Sequence, residues 1–159
     1  MENYVKEILY GYPLLKTVGE DYEIHIRNKA LLSHGSHVDG MRLAEYLAGE
    51  ILMMDKLEAL KATVKAVLDK LTEEERILIE GRFFGKRKKL RDFLERRAYD
   101  GQAVWSKRKF FRRQNAAEKK VGALLFCAGI TEEKYLRDFA RTDIFEKVRK
   151  KMEEGNRAL

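Results

Sequence analysis

The chain has 159 residues, of which 37% are charged and only one is proline, and its net charge is +7. This length allows one substantial core, or a small domain with a helical extension. The composition favours an all-α multi-helix bundle over a sheet protein. No apolar run approaches the roughly 18 residues of a membrane span. The N-terminus lacks the basic and apolar regions of a secretory signal. We therefore expect a cytoplasmic protein with no membrane partner.

The basic residues are concentrated in one part of the chain. Residues 82–120 hold 15 lysines and arginines against 4 acidic residues, whereas the remainder holds 18 against 22. A basic block on an otherwise slightly acidic chain is what attraction to phosphate groups requires. The alternative interpretation is a solvated helical surface without a partner.

Residues 1–70 form a predicted N-terminal helical region. A short helix over 2–9 is expected to end at the turn signal Tyr10-Gly11-Tyr12-Pro13, and Pro13 can begin a second helix that runs to residue 32. The segment 33–40 has the composition of a loop. His34 and His37 lie there, with His25 upstream, but no cysteine or carboxylate stands at ligand spacing. We expect no metal site.

The longest periodic segment is 41–71, which predicts a long helix. Its apolar residues alternate spacings of three and four, as in an a/d seam: Leu57, Leu60, Val64, Val67 and Leu71. Packing against the first two helices is the favoured interpretation, because those helices also need a partner for their apolar faces. A homodimer through the 41–71 helix is the alternative.

Residues 71–128 contain the predicted functional region. Thr72 and Glu75 form a capping box that starts a helix, and Gly85 is a natural residue to end it. A run of four cations follows, Lys86-Arg87-Lys88-Lys89, and a further helix is expected from about 90 to 98. That helix is predicted to bury Leu90, Phe93 and Leu94 and to expose Arg91, Arg96 and Arg97. A turn at 99–101 then leads to the next helix.

The stretch 105–125, WSKRKFFRRQNAAEKKVGALL, predicts a basic amphipathic helix. Ser106 is a good N-cap, and Trp105 and Phe110 have the spacing of a hydrophobic staple. Six residues fall along one apolar face: Phe110, Gln114, Ala117, Val121, Leu124 and Leu125. The opposite side carries Arg108, Lys109, Arg112, Asn115 and Lys119. Such a helix can pack on a core and still present cations outward.

The last part, 129–159, is predicted as a C-terminal helical tail. Thr131 caps a short helix over 131–140, and a final helix over 142–154 is expected to end at Gly155. The single cysteine, Cys127, is expected to be a small buried hydrophobic residue in a reducing compartment.

The order of helix, basic turn, helix, turn and basic helix is that of a helix-turn-helix unit, in which the last helix enters the major groove. Arginine can bond guanine, asparagine can bond adenine, and lysine can neutralise phosphates. The predicted nucleic-acid-binding residues are Lys86, Arg87, Lys88, Lys89, Lys107, Arg108, Lys109, Arg112, Arg113, Asn115 and Lys119. No catalytic or cofactor-binding pattern is visible, so we expect no enzyme and no cofactor.

The segments LTEEERILIEGRFFGK and WSKRKFFRRQNAAEKKVGALL resemble the fourth conserved region of bacterial RNA polymerase sigma factors. They look more similar still to the small sigma-like regulators found in phages and Gram-positive genomes. The match covers about 55 residues and rests on seven positions: Leu71, Thr72, Glu75, Arg82, Phe83, Phe84 and Ser106. The resemblance implies a region-four-like helix-turn-helix protein that binds double-stranded DNA, with RNA polymerase as a second candidate partner.

The chain departs from the family pattern in two respects. Arg82 and Ser106 are 24 positions apart, which is several more than the family's usual spacing. Nothing in 1–70 resembles the sigma segment that melts the −10 element. The resemblance therefore implies a transcriptional regulator rather than a complete sigma factor. Two alternatives remain open: an interaction module for an acidic partner such as polymerase or a phage protein, and a binder of structured RNA.

Overall fold

The computed structural model describes residues 2–33 and 40–157, and within these ranges the ordered elements are α-helices alone. This confirms the all-α prediction. The described helices are α1 (Asn3–Ser33), α2 (Gly40–Asp69), α3 (Glu73–Phe83), α4 (Arg87–Tyr99), α5 (Lys107–Cys127), α6 (Glu132–Asp138) and α7 (Asp143–Arg157).

The helices form two compact units, one of residues 14–62 and one that joins 1–13 to 63–159. These units are defined by contacts in space, whereas the predicted segments 1–70, 71–128 and 129–159 are continuous stretches of the sequence. In the 14–62 unit, α1 and α2 run antiparallel, because Gly19 lies against Glu58 while His25 hydrogen-bonds the Tyr46 hydroxyl at 3.0 Å. Among the residues of this unit whose side chains are described, four are buried: Leu15, Val18, Leu57 and Leu60.

The larger unit has a core built from the start of α1, the end of α2 and helices α3 to α7. Residues buried there include Ile8, Leu9, Val64, Leu78, Val121, Leu125 and Phe145. A polar cluster lies beside this core, where Glu7 accepts hydrogen bonds from Tyr135 and Arg149. Burial, and then the adjacent Glu7 carboxylate, raise the pKa of Tyr135 above its ordinary value. The cluster connects α1 with α6 and α7.

The predicted break near residue 10 is wrong, because α1 continues through Pro13. Pro13 removes one backbone donor from the helix interior, yet its neighbours Tyr12 and Leu15 are both buried. Gly11 serves close packing rather than a turn, since a Cβ there would lie 2.6 Å from the Phe145 ring. Tertiary burial therefore outweighs the local signal.

The apolar stripe of α2 is buried within the chain from Leu57 to Val67, which confirms the preferred intramolecular packing. Earlier along the same stripe, Tyr46 is 42% exposed. The homodimer stays a prediction, and the seam residues from Leu57 to Val67 are not open to a second copy. On another side of α2, Ile51 and Leu52 are exposed.

Three of the predicted helix starts are confirmed by their caps. Thr72 and Glu75 form the reciprocal capping box, while Ser106 and Thr131 accept from the backbone N–H three residues on. Gly85 and Gly129 follow α3 and α5 with positive φ, as glycine permits.

Two expectations near the C-terminal part are wrong. Gly155 does not end the last helix, which continues to Arg157. Cys127 is exposed rather than buried. It follows Leu125, which is fully buried, by two positions. Two helical residues span about 200°, so the thiol lies on the opposite side from the core.

The described helices include none with the length and apolarity to cross a bilayer. Over the same described ranges, no group of three histidine, cysteine, aspartate or glutamate side chains is arranged to hold a metal ion. His34 and His37 fall outside these ranges.

Candidate nucleic-acid interface

Helices α4 and α5, with Lys86 as the N-cap of α4, carry every predicted nucleic-acid-binding residue, and α3 packs against both helices. The approach of α3 to α4 is close at Gly81, where an added Cβ would lie 2.8 Å from Leu90 Cδ2. The hydrophobic residues Ile77, Leu78 and Ile79 of α3 are buried. Helix α3 is therefore the support on which the two basic helices are mounted.

Ion pairs fix α5 to α3. The Arg82 guanidinium donates to the Glu118 carboxylate, which is buried. Arg113 pairs with Glu74 at 3.1 Å. A buried charge is tolerated when it has such a partner. These contacts set the rotation of α5 about its axis.

Glu75, in the first turn of α3, is the second α3 carboxylate that a cation of α5 engages. It accepts from the Lys120 ammonium at 2.8 Å and from the Thr72 backbone N–H at 3.0 Å. Burial alone would raise the pKa of Glu75, but these hydrogen bonds lower it below the ordinary value. The acidic turn that starts α3 therefore also neutralises cations on the flank of α5.

The rotation of α5 leaves a continuous stripe of polar and charged residues on its outer side. We call Arg108, Arg112, Asn115 and Lys119 the basic stripe. All four are exposed, and within the part of the chain that the structure describes no carboxylate lies within ion-pair distance of the three cations. On the inner side, Gln114, Ala117, Val121 and Leu125 are buried. The predicted division of α5 into two faces is confirmed for these residues, whereas Phe110, Leu124 and Lys109 are half-buried.

The four-cation run lies at the start of the scaffold helix α4, as the sequence predicts, but the helix begins earlier than expected. Helix α4 begins at Arg87 rather than at Leu90, so the run covers the N-cap and first turn of the helix. Lys86 has no side-chain capping bond there. Cations in a first turn oppose the positive end of the helix dipole, and the carboxylate of Glu80 offsets this cost.

Glu80 is a buried carboxylate at the end of α3, and it binds cations at the start of α4. It accepts from Lys89 at 2.8 Å and from Arg76 at 3.2 Å, and Lys86 lies 3.7 Å away. Burial alone would raise the pKa of Glu80, but the bonds from Lys89 and Arg76 lower it. Arg87 and Lys88 have no such carboxylate partner among the described residues and are exposed.

The segment between α4 and α5 is anchored by Trp105. Its ring contacts Phe93 of α4, with centroids 6.0 Å apart. The guanidinium groups of Arg97 and Arg113 lie 4.8 and 5.5 Å from the indole centroid, which is cation–π distance. Arg97 is therefore half-buried rather than exposed as predicted. The Trp105–Phe110 staple stays a prediction.

The predicted site residues thus fall into two sets. Lys86, Lys89 and Arg113 are engaged by carboxylates of α3, whereas the others have no ion pair within the described ranges. Lys107 is exposed and Lys109 is half-buried beside the basic stripe. Sequence reasoning did not include Arg91, which is exposed one turn after Arg87. The i,i+4 spacing of the two arginines places them on the same helix face, and this spacing could have identified Arg91 from the sequence.

Comparison with known proteins gave no match: no family model, no curated protein and no solved structure matches this chain. The assignment of function therefore depends on the residues and their geometry.

Proposed function

We propose that this protein is a DNA-binding transcriptional regulator whose helices α4 and α5 act as a helix-turn-helix. In this proposal α5 is the recognition helix and α4 the scaffold helix. The observation that carries the proposal is the basic stripe, which is exposed along three turns of a helix whose opposite face is buried. A helix held in this way can enter a major groove without losing its own core.

The chemistry of the stripe suits base edges and phosphates. Arg108 and Arg112 can each give two parallel bonds to guanine, and Asn115 can do the same to adenine. Lys119 lies further along the helix, where neutralising a phosphate is the natural role of an ammonium group. The unpaired cations at the start of α4, Arg87 and Lys88, offer additional backbone contacts that position the protein.

The three cations that bind carboxylates of α3 have a different role in this proposal. Arg113, Lys86 and Lys89 hold α5 and α4 in place. A phosphate would have to compete with Glu74 or Glu80 for them. We therefore assign the direct DNA contacts to the basic stripe and to the unpaired cations.

The test is fluorescence anisotropy of labelled DNA duplexes as the salt concentration is raised. Each neutralised phosphate contributes about −0.9 to the slope of log affinity against log salt, so the three phosphate contacts assigned to Lys119, Arg87 and Lys88 predict a slope of about −3. Replacing both Arg108 and Arg112 by alanine is expected to weaken binding at least about tenfold, because each bidentate contact is worth ~1–3 kcal/mol.

The matched control is the double replacement of Arg141 and Arg157 by alanine. Both are exposed and lie outside α3, α4 and α5, and the change in net charge is the same. This control is expected to bind almost as the parent does. Equal weakening of the two double variants would show that only net charge matters and would overturn the stripe as the contact surface.

Selection of bound sequences from a random DNA pool then separates the regulator from its alternatives. An enriched sequence that requires Asn115 supports base readout. Tighter binding of structured RNA than of any duplex DNA, at the same salt, would reassign the protein to RNA. If no nucleic acid binds at low salt, the remaining function for this surface is binding of an acidic protein partner.

A further inference from the structure

A groove lies between α4 and α5 on a different side of α5 from the basic stripe. Its volume is about 530 Å³. One face of α4 lines one wall with Arg87, Leu90, Arg91 and Leu94, and α5 lines the other with Phe110 and Gln114. The α4 residues follow the i, i+3, i+4, i+7 spacing of a single helix face.

The apolar floor of this groove is incompletely covered. Helix α4 has 13 residues and none of them is buried, and its Leu90 and Leu94 are half-exposed. Phe110 of α5 is half-exposed as well. A large apolar side chain from a partner would cover these three and complete a core that the chain alone leaves open.

A buried amide opens into the groove. Gln114 is only 5% exposed and lines the wall on α5. Among the described residues no protein group hydrogen-bonds its side chain, and its amide atoms keep contact with solvent in the groove, since the fully buried polar atoms without a partner are Arg97 Nε and Trp105 Nε1. A glutamine amide has two donors and an acceptor, and burying such a group is favourable only when it has a partner. A peptide group, which offers one donor and one acceptor, is a matching partner.

The rim of the groove is cationic. Arg87 and Arg91 are exposed and lie one helical turn apart, and no carboxylate lines the groove. The groove is also fixed in shape, because Gly81 holds Leu90 of α4 in close contact and the Arg82–Glu118 pair holds α5. A preformed site loses little conformational entropy when it is occupied.

We infer that this groove binds an acidic peptide segment of a partner protein. The segment places a leucine- or phenylalanine-type side chain on Leu90, Leu94 and Phe110. Its carboxylates pair with Arg87 and Arg91, and its backbone meets the Gln114 amide. Because the groove and the basic stripe lie on different sides of α5, the stripe stays open to DNA when the peptide is bound, and Arg87 is the one cation that both ligands would use.

The probe is a fluorescein-labelled helical peptide of about 16 residues, with leucine and phenylalanine along one face and glutamate elsewhere. Anisotropy with the full chain is expected to show micromolar binding at low salt. Two further peptides complete the set, one with serine in place of leucine and phenylalanine and one with glutamine in place of glutamate. Both are expected to bind at least about tenfold more weakly, as loss of anchors in a small interface predicts.

Protein variants locate the site. Replacing Arg87 and Arg91 by alanine is expected to weaken peptide binding about tenfold, because both charge pairs are lost. The matched control replaces Lys88 and Arg96, two exposed cations of α4 outside the groove, and is expected to bind as the parent does. Gln114→Leu keeps an apolar packing surface on α5 but removes the amide, and is expected to weaken binding several-fold while the chain stays folded.

Several outcomes overturn the inference. Binding of the serine peptide as tightly as the apolar one would show charge attraction alone. Parent-like affinity of the Arg87/Arg91 variant would place the peptide elsewhere, as would complete displacement of the peptide by an equimolar DNA duplex, since the Arg87 contact alone is shared. Displacement by dodecanoate at low concentration would assign the groove to a small amphipathic carboxylate. The Arg108/Arg112 variant separates this test from the DNA proposal, because it is expected to lose DNA and keep the peptide.

Discussion

Helices α4 and α5 are both rich in lysine and arginine, yet only α5 has a buried face. Five residues of α5 are buried, and its N-cap Ser106 accepts from Lys109 N–H at 3.1 Å. Helix α4 has neither a buried residue nor a side-chain cap. It is kept in place by Glu80 and by the close contact at Gly81. The two helices thus display similar charge but are supported differently. One face of α5 is buried in the core, whereas the apolar side chains of α4 remain partly exposed.

The largest expected difference between the two helices comes from matched leucine truncations. Leu125→Ala removes a fully buried side chain of α5 and is expected to lower the free energy of unfolding by about 2–5 kcal/mol. Leu94→Ala on α4, where the leucine is half-exposed, is expected to cost about 1 kcal/mol. Urea denaturation followed by circular dichroism measures both. Equal losses would mean that α4 is as well buried as α5.

A glycine replacement tests the contact that mounts α4 on α3. In Gly81→Ala the new Cβ would lie 2.8 Å from Leu90 Cδ2 and 2.9 Å from Leu90 Cβ. The backbone must therefore shift, and we expect a loss of about 1–3 kcal/mol. The control is Gly49→Ala in α2, where nothing lies within 4 Å. It is expected to gain about 0.5–1 kcal/mol from helix propensity. A stabilising Gly81→Ala would contradict the close packing.

Glu80→Gln tests whether one carboxylate holds the start of α4. Loss of its charged hydrogen bonds is expected to cost about 1–2 kcal/mol at pH 7. Folding lowers the pKa of Glu80 below its ordinary 4.5, so its contribution is complete above pH 4.5 and is lost as the pH falls below that value. The stability difference between parent and variant should therefore shrink under acid. A difference that stays constant with pH would contradict an ionic role.

Removal of the α5 cap is the smallest of these changes. Ser106→Ala deletes the bond to Lys109 N–H and is expected to cost about 1 kcal/mol. Ser106→Thr keeps a hydroxyl and is the matched control. DNA affinity measured on the same variants sharpens the comparison, since fraying of the first turn loosens Arg108. A capless variant with unchanged stability would show that α5 is held by packing alone.

The parts of the fold that could be predicted are those with local causes. Thr72, Ser106 and Thr131 each satisfy an N–H three residues away, so the sequence contains both partners. The two faces of α5 could also be predicted from the sequence, because the 3.6-residue periodicity of a helix places Val121 and Lys119 on different sides without any tertiary information.

The errors arose where a distant partner decides the outcome. The signal at Gly11 and Pro13 indicates a turn, but the ring of Phe145 comes from the other end of the chain. In the same way the ion pair of Arg82 with Glu118 spans 36 positions. No spacing rule links such residues, so the distinction between paired and unpaired cations required the structure.

The acidic first turn of α3 has a consequence for the approach to DNA that we propose. Glu74 and Glu75 neutralise Arg113 and Lys120 on one flank of α5, so the positive potential of the helix points mainly along the opposite, outer direction. A molecule with such a directional field experiences a torque as it approaches a polyanion. The protein is then oriented before it contacts the polyanion, and a larger fraction of collisions occurs through the basic stripe.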